Sequence, residues 1–180
     1  MVFAIPNALF PAIAQTFGGA TSLGLFYAAP AVGALVISFF SGWTACVRQE
    51  GKAIVIAAGL WGFTIIGFGM STTHLYAALL FLALSGAFDA ISGIFRTTLW
   101  NHVIPQNYRG RLAGIEMISY LGGPKLGDTR AGAIAAWLGV TSSIVSGGVL
   151  CVLGVTICCI MMPKFWRYNT TSSGLPFVSL

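Results

Sequence analysis

Six apolar runs divide this chain, and only short polar segments separate them. They cover residues 1–17, 23–44, 53–70, 75–100, 112–138 and 143–162. A helix that crosses a bilayer needs about 20 mostly apolar residues, whereas a tilted barrel strand needs only about ten. Runs of this length therefore point to helices. Inside hydrocarbon a helix also satisfies its own backbone hydrogen bonds, which an irregular segment cannot do. The composition closes off the soluble alternative. Charged residues are 7% and apolar residues 57% of the chain. Soluble domains carry roughly 25% charged residues, so a soluble fold of this composition could not cover its own surface. The expected fold class is an all-α integral membrane protein, a bundle of six transmembrane helices.

The distribution of basic residues orients that bundle. The connections at 18–22, 71–74 and 139–142 contain no Lys or Arg. The other side holds Arg48 and Lys52, then Arg109 and Arg111, then Lys164 and Arg167. Basic and neutral connections alternate, as the bias of Lys and Arg toward cytoplasmic loops requires. An even number of spans places both ends on the cytoplasmic side. The net charge of +5 is thus spread along the loops, and nucleic acid is not an expected partner. The lipid bilayer is. Trp43, Trp100, Trp137 and Trp166 fall near helix ends, where indoles favour the membrane interface. Trp61 falls mid-helix and is expected to pack against another helix.

Residues 1–168 are read as one six-helix domain and residues 169–180 as a polar cytoplasmic tail. The chain opens already hydrophobic, and Pro6 and Pro11 follow; the first helix is expected to be truncated. Ala29-Pro30-x-x-Gly33 in the second run and Gly123-Pro124-x-x-Gly127 in the fifth read as small-Pro-x-x-Gly. Each sits in the middle helix of a group of three, the pattern of a 3+3 inverted repeat. Small residues at this spacing also serve plain helix packing.

Charged groups in hydrocarbon cost about 2.5–3.5 kcal/mol each on insertion scales, so those in the apolar runs demand a reason. Ser85, Asp89, Ser92 and Arg96 are spaced four, three and four apart, on one helical stripe of the fourth run. They are candidates for lining a polar path; an interhelical polar contact is the simpler alternative. The fifth run carries Glu116, Lys125, Asp128 and Arg130. Lys125 and Asp128, three apart, are close enough along a helix to pair. Gly122, Gly123 and Pro124 immediately precede them and are expected to break the helix. Glu116, Lys125 and Asp128 complete the set of candidate path residues, solvation near a membrane face being the plainer reading of Asp128. No Ser-His-Asp set, phosphate-binding loop or metal-ligand spacing occurs. The cysteines Cys46, Cys151, Cys158 and Cys159 form no CxxC pair. Nothing in these residues calls for an enzyme, a metal or a cofactor.

The segment from Gly42 through Cys46, Arg48, Gly51 and Lys52 resembles a degenerate copy of the loop signature of the major facilitator superfamily. Gly42, Arg48, Gly51 and Lys52 match its residue types, and Cys46 stands at its acidic position. The stretches Ile94–Thr98, Arg109–Glu116 and Gly123–Asp128, with Pro105 between, resemble the C-terminal half of the enterobactin-exporter-like branch, which comprises bacterial drug and siderophore exporters. Residues 5–11 resemble that branch's seventh helix. This resemblance implies helices seven to twelve of a twelve-helix carrier, with Arg109 and Arg111 in a second cytoplasmic loop. It further implies a plasma-membrane location, a small-molecule substrate, an N-terminal six-helix half as partner, and proton-coupled efflux. A non-transporting fragment and a small self-associating membrane protein remain alternatives.

Overall fold

The computed structural model describes residues 7–40, 42, 50–103 and 109–161. A 3-10 turn, Asn7–Leu9, leads into α1, Phe10–Thr16. The long helices are α2 Ala20–Phe39, α3 Glu50–Met70, α4 Leu75–Val103, α5 Arg109–Leu138 and α6 Val140–Met161. No strand occurs among the described residues. The order of helices is the order of the six apolar runs. By length and composition, α2, α3 from Gly51, α4 through Trp100, and α6 are able to cross a membrane. The seven-residue α1 is too short for that on its own. With 30 residues α5 is long enough, but it carries six charged side chains.

Several connections are tighter than the sequence alone suggests. The first turn of α3 takes in Glu50, Gly51 and Lys52, which were expected to form a charged turn. At the far end of its hairpin partner, α4 continues through Asn101 and His102 and stops at Val103. Pro105 lies two residues on and disfavours helix in the residue before it. Between α5 and α6 the expected four-residue connection shrinks to Gly139 alone, with φ +87°. Its N–H donates to the Ala135 carbonyl at 3.1 Å, and the Ser143 N–H donates to the Gly139 carbonyl at 3.2 Å. A side chain there would strain this left-handed backbone. Gly18 and Gly19 play the same part between α1 and α2, at φ +105° and +78°.

A core of four helices follows from how these elements pack. The principal contacts join α3 to α4, α3 to α6 and α2 to α4. Lipid tails are as apolar as leucine, so burial drives helices together weakly, and close van der Waals fit must do more. Glycines permit it. A methyl at Gly33 would collide with the Ala83 carbonyl oxygen, and one at Gly86 with the Pro30 carbonyl oxygen. Across α3 and α6, a Cβ at Gly148 would lie 2.9 Å from the Gly62 oxygen. Trp61 is buried, as expected.

Aromatic rings close the α1 end of the core. Phe10 packs on Phe26, Tyr27 and Phe68 with centroids 5.9, 5.2 and 6.0 Å apart. Tilted and edge-on pairs of this kind contribute about 0.5–1.5 kcal/mol each beyond area burial. By contrast α5 leans chiefly on α6 and the Asn7–Leu9 turn. Much of its surface is left open.

Candidate transport path

The α4 stripe does not present one uniform surface. Ser85 is completely buried, and its hydroxyl donates to the Leu82 carbonyl of the same helix at 2.7 Å. Ser92 is also buried. Asp89 is half-buried, and Arg96 is exposed. Within this bundle both serine side chains are covered by neighbouring residues. The stripe leads from the helix seam at Ser85 toward the surface at Arg96. Only Asp89 and Arg96 offer charge on its accessible side.

On α5 the outcome differs from expectation in two ways. The helix runs without interruption through Gly122, Gly123 and Pro124. Both glycines have ordinary negative φ, so their freedom is not used here. Pro124 removes one N–H, and the Tyr120 carbonyl loses its helical donor. One lost bond is insufficient to end a helix that continues for 14 residues beyond it, Lys125 to Leu138. Second, Lys125 and Asp128 form no ion pair with each other. Asp128 turns one carboxyl oxygen, Oδ1, inward, where it is buried without a hydrogen-bond donor. Lys125 is exposed.

The remaining candidates scatter around the same helix. Glu116 is exposed, Gly122 is open, Gly123 is buried and Pro124 is half-buried. Gly123, Gly127 and Ala131, four apart, make a buried small face on α5. Arg130 was absent from the candidate set, yet the structure gives it a defined seat. Its Nε and Nη1 are buried, and the guanidinium lies across Gly147 of α6. A Cβ at Gly147 would come within 2.8 Å of Arg130 Nη2. The sequence signal was a glycine on one helix facing a large cation on the next, but only the pairing of α5 with α6 brings the two together. At the opposite end, Gly51 is buried and Lys52 half-buried in the first turn of α3, and Arg111 is exposed in the first turn of α5. Gly42 is exposed. Arg109 opens α5, and Arg48 lies outside the described residues. The free cysteines Cys151, Cys158 and Cys159 sit on α6.

A charged, largely uncovered helix against a four-helix apolar core is the arrangement that comparison with known proteins has to account for. The enterobactin exporter EntS of Salmonella paratyphi A is 29% identical over 166 residues, 91% of this chain and 40% of that protein. Its counterpart in Citrobacter koseri is 30% identical over 173 residues, 93% of this chain and 41% of that protein. The one from Escherichia coli O81 is 27% identical over 166 residues, covering 91% and 39%. The chain resembles the enterobactin exporters of the major facilitator superfamily. It spans about two fifths of the length of these relatives. No family model and no solved structure matches it. Likeness to these exporters extends over more than nine tenths of the chain, so both the apolar core and the charged α5 lie in a multi-pass membrane protein.

Proposed function

We propose that this chain is the C-terminal half of a secondary active exporter, a carrier and not an enzyme. Together with an N-terminal six-helix half it encloses a path that moves a small molecule out of the cytoplasm in exchange for protons. The open, charged face of α5 carries this reading. Among the described residues its own bundle covers α5 chiefly along α6 and the Asn7–Leu9 turn, while Glu116, Lys125 and Thr129 are exposed. Charged side chains do not rest against lipid tails without penalty; they line water or meet another protein domain. Curated relatives about two and a half times as long as this chain supply a reason for a second domain. Residues 1–168 form the half-carrier, with helices seven to twelve built as two inverted groups of three, and residues 169–180 the cytoplasmic tail. The basic connections face the cytoplasm of a bacterial plasma membrane. Asp89, Glu116 and Asp128 are the acidic groups available for proton exchange within the apolar runs, and Arg96 and Lys125 the exposed cations of the path.

The test is transport. The chain is expressed with its companion half in an efflux-deficient bacterium, and efflux of a fluorescent siderophore analogue is followed with and without a proton gradient. Outward movement that stops when the gradient is collapsed is the expected result. Retention of the probe at the level of cells lacking the chain overturns the proposal.

A further inference from the structure

Lys125 occupies the middle of α5. Sixteen residues separate it from Arg109 and thirteen from Leu138, about 24 Å and 20 Å along the axis. Its side chain is exposed, and among the described residues no hydrogen bond or ion pair reaches its ammonium. Asp128, one turn away, directs Oδ1 into the protein instead. With α5 crossing the bilayer, as the half-carrier reading has it, a four-carbon stem is too short to carry the charge from the middle of the helix to either membrane face. The ammonium therefore requires an anionic or aqueous counterpart outside this bundle.

The neighbours of Lys125 describe that counterpart. Leu121 is 58% exposed and Leu126 67%, one on either side along the helix. Gly122 leaves open space, with nothing within 4 Å of an added Cβ. Thr129 is exposed, its hydroxyl occupied by the Lys125 carbonyl at 3.0 Å. A cation flanked by two apolar side chains and a gap suits a molecule with an anionic head and an apolar body. Lysine, a compact point charge, holds an anion without the two-pronged geometry of arginine, which favours release as well as capture.

We infer that Lys125 is the anion-binding residue of the path, and that the molecule carried is an organic anion whose apolar part rests on Leu121 and Leu126. This rests on the reading of the chain as a half-carrier. The test keeps the two apart by measuring binding and flux separately. The chain, with any companion half that purifies with it, is placed in lipid nanodiscs. Binding of 1-naphthalenesulfonate, neutral 1-naphthalenemethanol and cationic 1-naphthylmethylammonium is then compared. The sulfonate is expected to bind at least tenfold more tightly than the other two. Lys125→Gln abolishes that preference, Lys125→Arg retains most of it, and Leu126→Ala weakens all three probes together. Equal binding of the three probes, no binding of any, or a sulfonate preference that survives Lys125→Gln overturns the inference. So does a Lys125→Gln variant that loses thermal stability but keeps its preference, since Lys125 would then pair with a carboxylate of the companion half. Flux of the same probes in proteoliposomes tests the carrier reading. Lysine-dependent binding without flux refutes the carrier alone, and flux indifferent to Lys125 refutes the anion site alone.

Discussion

Asp89 and Ser85 share a stripe of α4 but not an environment. The hydroxyl of Ser85 is consumed by the Leu82 carbonyl in a fully buried position, whereas Asp89 retains part of its surface. Ser85→Ala is thus expected to leave efflux unchanged and to shift stability by no more than about 1 kcal/mol, the net worth of one hydrogen bond. Asp89→Asn is expected to preserve expression and to reduce proton-driven efflux severalfold. Efflux across a pH series for the two variants checks both, and an Asp89→Asn protein indistinguishable from the parent would reduce Asp89 to a packing role. The sequence placed all four stripe residues together correctly, because helical spacing is a property of one element. It could not tell which were covered, because coverage depends on where α2 and α3 lie. Gly147 shows the same limit. Nothing in its own helix predicts that it must stay small. Gly147→Leu is expected to unseat Arg130, with the thermal midpoint of the protein falling and Gly147→Ala falling less.

At the scale of elements, α5 is the helix whose composition and structure are in tension. It keeps 30 helical residues despite Pro124 and six charges. With the helix already continuous, Pro124→Ala returns a donor to the Tyr120 carbonyl and removes a clash. It is expected to raise the thermal midpoint, while turnover falls if α5 flexes at that point during the cycle. A variant with unaltered stability and unaltered turnover would make the proline incidental. The single-residue connection is more demanding. Gly139→Val forces a β-branched side chain into φ +87°, a cost on the order of 1–3 kcal/mol. Denaturation in detergent should register that loss, whereas Gly132→Ala, in open space on α5, should register none. The apolar run announced the existence of α5 and its end at Leu138, yet the helix starts at Arg109, three residues before the run. The first turns of α3 and α5 are built from charged residues that hydropathy assigns to loops. At membrane interfaces a helix continues beyond its apolar portion, since water can solvate its side chains there.

The whole molecule divides into a packed core of α2, α3, α4 and α6 and a less covered α5. In the proposed half-carrier the core would hold its shape while the charged surface of α5 faces the path. Orientation is the property to examine at this scale. Cysteines introduced at Gln106 and Thr72 should label from the cytoplasmic and outer sides respectively. Labelling of Gln106 from outside, with Thr72 silent, would invert the topology argued from the basic loops.

The number and order of the helices were legible in the sequence alone, because apolar length and charge scarcity act residue by residue along the chain; by the same measures α2, α3, α4 and α6 are able to cross a membrane. The likeness to exporters was legible in the same way, in the charged segments of the fourth and fifth runs. Tertiary structure alone decided which polar groups are enclosed and which are open. Ser85 and Ser92 are sealed, Lys125 and Asp128 turn apart, and Arg130 is seated on Gly147. These outcomes depend on how closely neighbouring backbones approach. That distance is set by pairs of glycines on different helices, Gly33 and Gly86 or Gly62 and Gly148, whose partners are far away in sequence. A one-dimensional pattern records each glycine but not the carbonyl it meets.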